Sequence, residues 1–453
     1  MIAPARLAAF DVLMVVERGT VSLPSALAAV RDRLEDERDH ALLAEITNGT
    51  LRWQGQIDHV IACLSSRPCE RLDVEILLIL RLSVYQLMHL DRVPPAAVVH
   101  DAVQLARRAG KTSAAGLVNG VLRAWQRRAG DLALPPRPPS TTRPPREQAL
   151  DFLSITLSHP RWLAARWLDR YGFDDAVHWA EFNNQPAPLT LRVNRLILNR
   201  DELIARLAET GVEATPTRFA PDGVHVRKGN PLAGPLADDG LFVPQDEASQ
   251  LVARLVDAQP GERVIDLCAA PGGKTTALVS AMADRGLLVA LDVRHSRVRL
   301  LARTIRRVGA TSVRIVCADA RRTLPFSAVF DRALLDAPCT GLGTIRREPE
   351  VRWRRHEPDL GEFSATQIDM LDRASVLIGP RGRLVYSTCS SEPEENEQVV
   401  AAFLESHATF RRLDATDATP DLEPVVDRDG YLRTSPSAHG LEAFFGAVLV
   451  RQS

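Results

Sequence analysis

The sequence predicts an α/β fold: a doubly wound parallel sheet, preceded by an all-helical domain and a small mixed α+β region. Three observations carry that expectation. After Gly261, short apolar runs alternate with amphipathic stretches, the strand–helix–strand rhythm that winds into a parallel sheet. Over residues 1–130, apolar positions recur three and four apart, which is helical spacing. Between these, residues 134–145 hold six prolines, which fit neither a helix interior nor a central strand. A chain of 453 residues is also too long for one ordinary core and calls for two or three domains.

The helical domain comes first. Leu7, Phe10, Leu13 and Val16 share one helical face, as do Leu42, Ile46 and Leu51, and then Ile76, Leu80, Val84 and Leu87. Val93-Pro94-Pro95 marks a helix start, because proline in a first turn forfeits no hydrogen bond. Residues 102–130 contain no acid but carry Arg107, Arg108, Lys111, Arg123, Arg127 and Arg128. They form a candidate phosphate-facing surface, with an ordinary solvated helix face as the equal alternative. Residues 131–149 read as a proline-rich, semi-stiff linker. In the small α+β region, 150–255, residues 160–171 suggest a helix bearing Trp162 and Trp167, and 189–194 alternate as a strand. Asp246, Glu247 and Ser249 mark a further helix start. The sheet domain occupies 256–453. Strands are expected at 263–267, 287–291, 313–316, 333–335 and 383–387, with helices notably at 296–308 and 362–378.

Composition narrows the function classes. A formal net charge of −1 leaves nucleic-acid contact to local basic patches. The six cysteines form no CxxC pair, so neither a disulfide framework nor a metal site is expected. Free thiols imply a reducing compartment, hence a cytoplasmic protein. Arg6, Asp11, Glu17 and Arg18 interrupt the first apolar stretch, which reads as an amphipathic helix rather than a signal peptide. No run reaches the length of a membrane span. Only Lys111, Lys228 and Lys274 are lysine among 56 basic residues. That adds weight to Lys274, where a compact ammonium suits a tight loop.

Chemically suggestive residues fall where the strands are expected to end: Asp266, Asp292, Asp319, Asp336 and Cys389. In doubly wound sheets, ligands bind at the carboxyl ends of strands. The loop Cys268-Ala269-Ala270-Pro271-Gly272-Gly273-Lys274-Thr275 follows a strand and opens a helix. It lacks the glycine that a Walker loop needs where Cys268 stands, and it holds no Gly-x-Gly-x-x-Gly. Asp292 has the reach to accept both hydroxyls of a ribose, and Asp319 could accept from an adenine amino group. Three acids and a glycine turn suit a cationic adenosine cofactor, S-adenosylmethionine. Two cysteines on sharp turns, Cys339 and Cys389, lie downstream. A thiolate is well suited to add reversibly to an electron-poor ring carbon.

The letters then match a family. Asp-Leu-Cys-Ala-Ala-Pro-Gly-Gly-Lys-Thr at 266–275, Asp-Ala-Pro-Cys-Thr-Gly at 336–341 and Ser-Thr-Cys-Ser at 387–390 resemble the cytosine-5 RNA methyltransferases of the NOL/NOP/Sun group. Ile345 through Trp353 and Pro393-Glu394-Glu395-Asn396-Glu397 support the match. The helical domain resembles the NusB RNA-binding fold through Leu51-Arg52, Tyr85-Gln86-Leu87, Arg92-Val93-Pro94 and residues 117–123. The two together resemble the arrangement in bacterial small-subunit rRNA members of that family. Thr340 stands where the family commonly has serine, and His439 to Phe445 match its last motif only loosely. That last stretch is expected to form the sheet's antiparallel edge.

The resemblance implies a Rossmann-like methyltransferase sheet, an RNA-binding role for the helical domain and for 150–255, and an RNA partner, small-subunit rRNA, with no DNA or membrane partner. It implies Cys389 as nucleophile toward cytosine C6, Cys339 as the residue that assists breakdown of the adduct, and Asp336 as the acid at the base N3. Lys274 is placed near the site without a defined role. Cys268, Ala269, Ala270, Pro271, Gly272, Gly273, Lys274, Asp292, Asp319 and Asp336 match the cofactor-binding positions. Cys63, Cys69 and Cys317 are read as small buried apolar residues. Arg346, Arg347, Arg352, Arg354 and Arg355 around Trp353 suggest phosphate contact and base stacking. A tRNA acceptor, or a non-catalytic RNA-binding assembly factor, remains an alternative.

Overall fold

The structure, a computed structural model, describes residues 2–19, 21–139, 144–326 and 329–452. Residues 140–143 of the proline-rich stretch lie outside them. The chain forms two compact units. One comprises Met1–Pro186 together with Ile345–Glu357, the other Ala187–Thr344 together with Pro358–Ser453. The first unit therefore runs on through the proline-rich stretch to Pro186.

The first unit is helical. Helices Pro4–Glu17, Glu37–Arg52 and Val74–His89 pack with Gln54–Ser65, Pro95–Arg108 and Ala115–Arg128 around one apolar core. Val74–His89 is buried continuously from Ile76 to Gln86, the mark of a central helix. Two arginines in this core are paired: Arg6 with Asp101 at 2.7 Å and Arg81 with Asp58 at 2.7 Å. Arg107, Arg108, Arg123, Arg127 and Arg128 are exposed, whereas Lys111 pairs with Asp73 at 2.7 Å. Further helices at Arg161–Tyr171 and Phe173–Asn184 bury Trp167 against Trp179.

Ile345–Glu357 is a strap built into this first unit, and it corrects one expectation. Arg352 is fully buried. Its guanidinium donates to the backbone oxygens of Ser158 (2.9 Å), Asn183 (3.2 Å) and Arg52 (3.3 Å) and to Asn184 Oδ1 (2.9 Å). Trp353 Nε1 donates to Leu51 O at 2.6 Å, Arg354 to Gly19 O at 2.8 Å, and Arg346 to Pro186 O at 2.9 Å while stacking over Phe182. Arg352 and Trp353 are committed to packing rather than offered to phosphate and bases, whereas Arg346 and Arg354 each hold one carbonyl through a bond at the surface.

The second unit holds two sheets. The smaller has four antiparallel strands in the order β2-β3-β1-β4, where β1 is Thr190–Val193, β2 Glu213–Pro216, β3 Gly223–Lys228 and β4 Phe242–Pro244. The larger sheet begins with β5 (Arg263–Asp266), β6 (Leu287–Asp292), β7 (Val313–Cys317), β8 (Phe330–Asp336) and β9 (Ile378–Thr388). It ends with β10 (Phe410–Leu413), β11 (Leu432–Arg433) and β12 (Phe445–Arg451). Its order is β10-β12-β9-β8-β5-β6-β7. β9, β8, β5, β6 and β7 are mutually parallel, and β12 adds antiparallel to β9. Helices His295–Val308 and Asp359–Ser375 complete a Rossmann-like methyltransferase architecture, as expected. Because β5 lies between β6 and β8, the order of strand addition reverses there, and the carboxyl ends of these strands form a crevice. Among the described residues no helix is long and apolar enough to cross a membrane.

Candidate active site

β5 delivers Asp266 to that crevice, 1% exposed. One of its oxygens accepts from Thr275 Oγ1 at 2.7 Å. The other, Oδ1, is buried with no side-chain partner, and burial pushes the carboxyl up to about 7. The chain then turns through Gly272, whose φ of +107° suits glycine; a Cβ there would lie 3.0 Å from Leu301 Cδ1. The helix Gly273–Ala281 follows. Arg192, 2% exposed, reaches from β1 to its first turn, donating to Thr276 Oγ1 at 2.6 Å and to Gln245 Oε1 at 2.7 Å. Burial lowers its pKa to about 10.

β6 ends at Asp292, which accepts from Arg297 Nε at 3.1 Å and from Ala270 N at 3.3 Å. Arg297 also donates to Ala270 O at 2.5 Å, so this arginine ties the loop to the strand end. Arg299, Arg303 and Arg306 of the same helix are exposed. Val293, half exposed, follows Asp292 and offers an apolar surface that sequence reading missed. Asp319 is held by Arg321 through bonds of 3.0 and 2.9 Å, which lower its pKa. The Cys268 thiol is pushed well up by burial, which favours its neutral form.

β8 and β9 bring the remaining residues together. Asp336, at the end of β8, accepts from Lys274 Nζ at 2.7 Å on one oxygen and from Ser387 Oγ at 2.8 Å on the other. Lys274 also lies 5.5 Å from the Phe444 ring centroid. Burial works against its charge, but Asp336 and Cys389 more than offset this, so its pKa is raised. Cys339 Sγ and Cys389 Sγ are 3.3 Å apart. The hydrogen bond to Cys389, with burial second, raises Cys339 well above the usual thiol range. Around them, Gly343 N donates to Cys389 O at 2.9 Å. A Cβ on Gly343 would lie 1.9 Å from Ala443 O and 2.8 Å from Cys389 O, so only glycine fits.

Two side chains without a role in the sequence reading, Gln367 and Glu395, lie beneath both cysteine turns. Gln367 Nε2 donates to Pro338 O at 3.0 Å and to Glu395 Oε1 at 3.0 Å. The expectation that Cys63 and Cys317 are buried is corrected: both are exposed, and only Cys69 of that trio is buried. Cys317 is the last residue of β7, at the open edge of the parallel sheet, and Cys63 lies on an outer helix face. A cavity of about 560 Å³ lies elsewhere in this unit, lined by Arg192, Arg195, Asp222 and Arg254 among others. It contains none of the strand-end acids or cysteines. Its arginines are engaged, Arg195 by Asp222 and Arg254 by Asp421.

The arrangement fits a cationic adenosine-bearing group: the buried carboxyl of Asp266, a second strand-end acid at Asp292 and an apolar surface at Val293. Beside it lie two thiols and an ammonium–carboxylate pair. Comparison with known proteins points the same way. Residues 253–450 match the family described as 16S rRNA methyltransferase RsmB/F, residues 3–127 the NusB family, and residues 159–233 the ferredoxin-like domain of RsmF/B-like methyltransferases. The ribosomal RNA small subunit methyltransferase B of Pseudomonas putida is 36% identical over 91% of this chain and 92% of its own length. The probable ribosomal RNA small subunit methyltransferase B of Bacillus subtilis is 33% identical over 90% of each chain. The crystal structure of PH0851 superposes with a TM-score of 0.81 at 28% identity, covering 99% of both chains.

Proposed function

The chain belongs to the RsmB/F methyltransferase family, and on that premise we propose that it methylates C5 of a cytosine in small-subunit rRNA through a transient bond between Cys389 and C6. The observation that carries this reading is the 3.3 Å separation of the Cys339 and Cys389 sulfurs, at the ends of neighbouring parallel strands and beside the loop after β5. S-adenosylmethionine supplies the electrophilic methyl group. Asp266, Asp292 and the loop 268–274 would hold it, with Val293 against its adenine and Asp319 within the same crevice.

Cytosine C5 is too weakly nucleophilic to take a methyl group unaided. Addition of the Cys389 thiolate to C6 pushes electron density to C5 as N3 takes a proton from water, relayed by Asp336. The Cys339 thiol holds its proton, its pKa raised by the hydrogen bond to Cys389 and by burial, and the Lys274 ammonium is close enough to interact with a Cys389 thiolate during the addition. Asp336, fixed on both oxygens by Lys274 and Ser387, is the group assigned to N3. After methyl transfer, the C5 proton must leave for a base as the C6–S bond breaks and N3 gives up its proton. Cys339 assists that step. Basic residues of the helical unit, including Arg107, Arg108, Arg123, Arg127 and Arg128, supply phosphate contacts.

Incubation with labelled S-adenosylmethionine and unmodified small-subunit rRNA should label cytosine. Bisulfite sequencing of rRNA from cells with and without the gene should then locate the base. Labelled tRNA with unlabelled rRNA would redirect the acceptor. Absence of any labelled RNA beside an active control would defeat the enzymatic reading.

A further inference from the structure

We propose that Glu395 is a positioning residue that sets the spacing of the two cysteine turns. Its side chain is fully buried and accepts four hydrogen bonds. Oε1 takes Thr340 N at 2.8 Å and Gln367 Nε2 at 3.0 Å. Oε2 takes Thr340 Oγ1 at 2.5 Å and Ser390 Oγ at 2.5 Å. Thr340 directly follows Cys339, and Ser390 directly follows Cys389. One carboxylate thus holds the residue after each sulfur, and Oε2 alone bridges the two turns.

The surrounding bonds make this a brace rather than a local turn. Gln367, from the helix Asp359–Ser375, also grips Pro338 O at 3.0 Å, on the other side of Cys339. Tyr386 OH donates to Gln367 Oε1 at 3.1 Å and to Glu395 O at 2.5 Å. Asn396 Nδ2 holds Ser390 O at 3.0 Å, and its Oδ1 takes Thr388 Oγ1 at 2.5 Å. A carboxylate suits the central place because both oxygens face donors; an amide could accept on one side only. The two hydroxyls can rotate, so glutamine would restore part of the brace and alanine none.

The consequence for release rests on the covalent mechanism proposed above; the consequence for spacing does not. A displaced Cys339 should let Cys389 attack but slow its departure. The test has two readouts on the full-length protein. In the first, without RNA, diamide takes two electrons and two protons from the Cys339 and Cys389 thiols. The rate at which they form a disulfide is followed by peptide mapping. In the second, RNA and S-adenosylmethionine are added, and covalent protein–RNA complex is measured against released methylated RNA.

Relative to wild type, Glu395→Ala should slow the disulfide at least 10-fold and raise the trapped fraction at least 10-fold, with Glu395→Gln in between. Thr340→Val combined with Ser390→Ala keeps the glutamate but removes both hydroxyl donors, and should behave like Glu395→Ala; it decides the matter if the alanine variant does not fold. A folded variant that forms the disulfide at the wild-type rate overturns the inference, even if it melts at lower temperature. If wild type methylates no RNA while the disulfide rates change as expected, the proposed reaction fails and the positioning role stands.

Discussion

Lys274 Nζ lies 2.7 Å from Asp336 Oδ2, joining the helix that opens after β5 to the end of β8. The pair is mostly buried, with side chains 13% and 27% exposed, and it adjoins the cysteines through Ser387 and Cys389. A buried ion pair is weak evidence for stability. Here it is better understood as a device that keeps the carboxylate oriented and an ammonium beside the nucleophile. Lys274→Met should therefore lower kcat by about 100-fold and, by leaving the Asp336 carboxylate without its partner, should also lower the melting temperature. Single-turnover methyl transfer checks this, and a variant within threefold of wild type would remove Lys274 from the chemistry.

Asp266 gives a pH dependence with a definite sign. Its folded pKa of about 7 lies above the ordinary carboxyl value of about 4. Its stabilising effect is therefore full below about pH 4 and is lost as pH rises through about 7. A cationic ligand prefers the ionised form, so binding follows the opposite course. The ionised fraction rises about 10-fold between pH 6 and 8, and the Kd for S-adenosylmethionine should fall by about that factor. Calorimetry at the two pH values reads it out, and Asp266→Asn should flatten the profile. An unchanged slope in that variant would assign the titration elsewhere.

Gly343 is the glycine whose loss should matter most to Cys389. A Cβ would lie 1.9 Å from Ala443 O, and the backbone must shift to admit it. Gly343→Ala should cost about 1–3 kcal/mol of stability. It should also lower kcat by on the order of 100-fold through displacement of the Cys389 turn. Loss of stability without loss of turnover would separate the two effects.

Arg352 tests the strap. With its guanidinium donating to four acceptors inside the first unit, Arg352→Met should cost on the order of 3 kcal/mol, seen in thermal unfolding. The salt dependence of RNA binding should not change. A phosphate-contacting arginine would instead reduce the slope of log K against log salt by about 1.

The parallel sheet was legible because fully buried strands are short apolar runs, and at 263–267 and 287–291 each run ends in or beside an acid at the carboxyl edge. Cys339 and Cys389 were legible for the same reason: their turns follow strands. β2, Glu213–Pro216, was not, since its residues are exposed or half-buried and show no apolar alternation. Arg352 misled because composition cannot distinguish an arginine aimed at phosphate from one aimed at backbone carbonyls. Arg352 finds its acceptors 168 or more residues away in sequence. Glu395 and Gln367 were hidden in the same way, since only folding brings positions 340, 367, 390 and 395 together. Val293 carried a faint signal, an apolar residue directly after a strand-end acid.

The most direct measurement is methyl transfer by Cys389→Ala beside Cys339→Ala, on the same RNA and with denaturing electrophoresis of the mixtures. The account predicts no methylated RNA and no cross-linked band for Cys389→Ala, and an RNA-bound band without release for Cys339→Ala. Normal methylation by Cys389→Ala would contradict it outright, and a cross-linked band from that variant would exchange the roles of the two sulfurs.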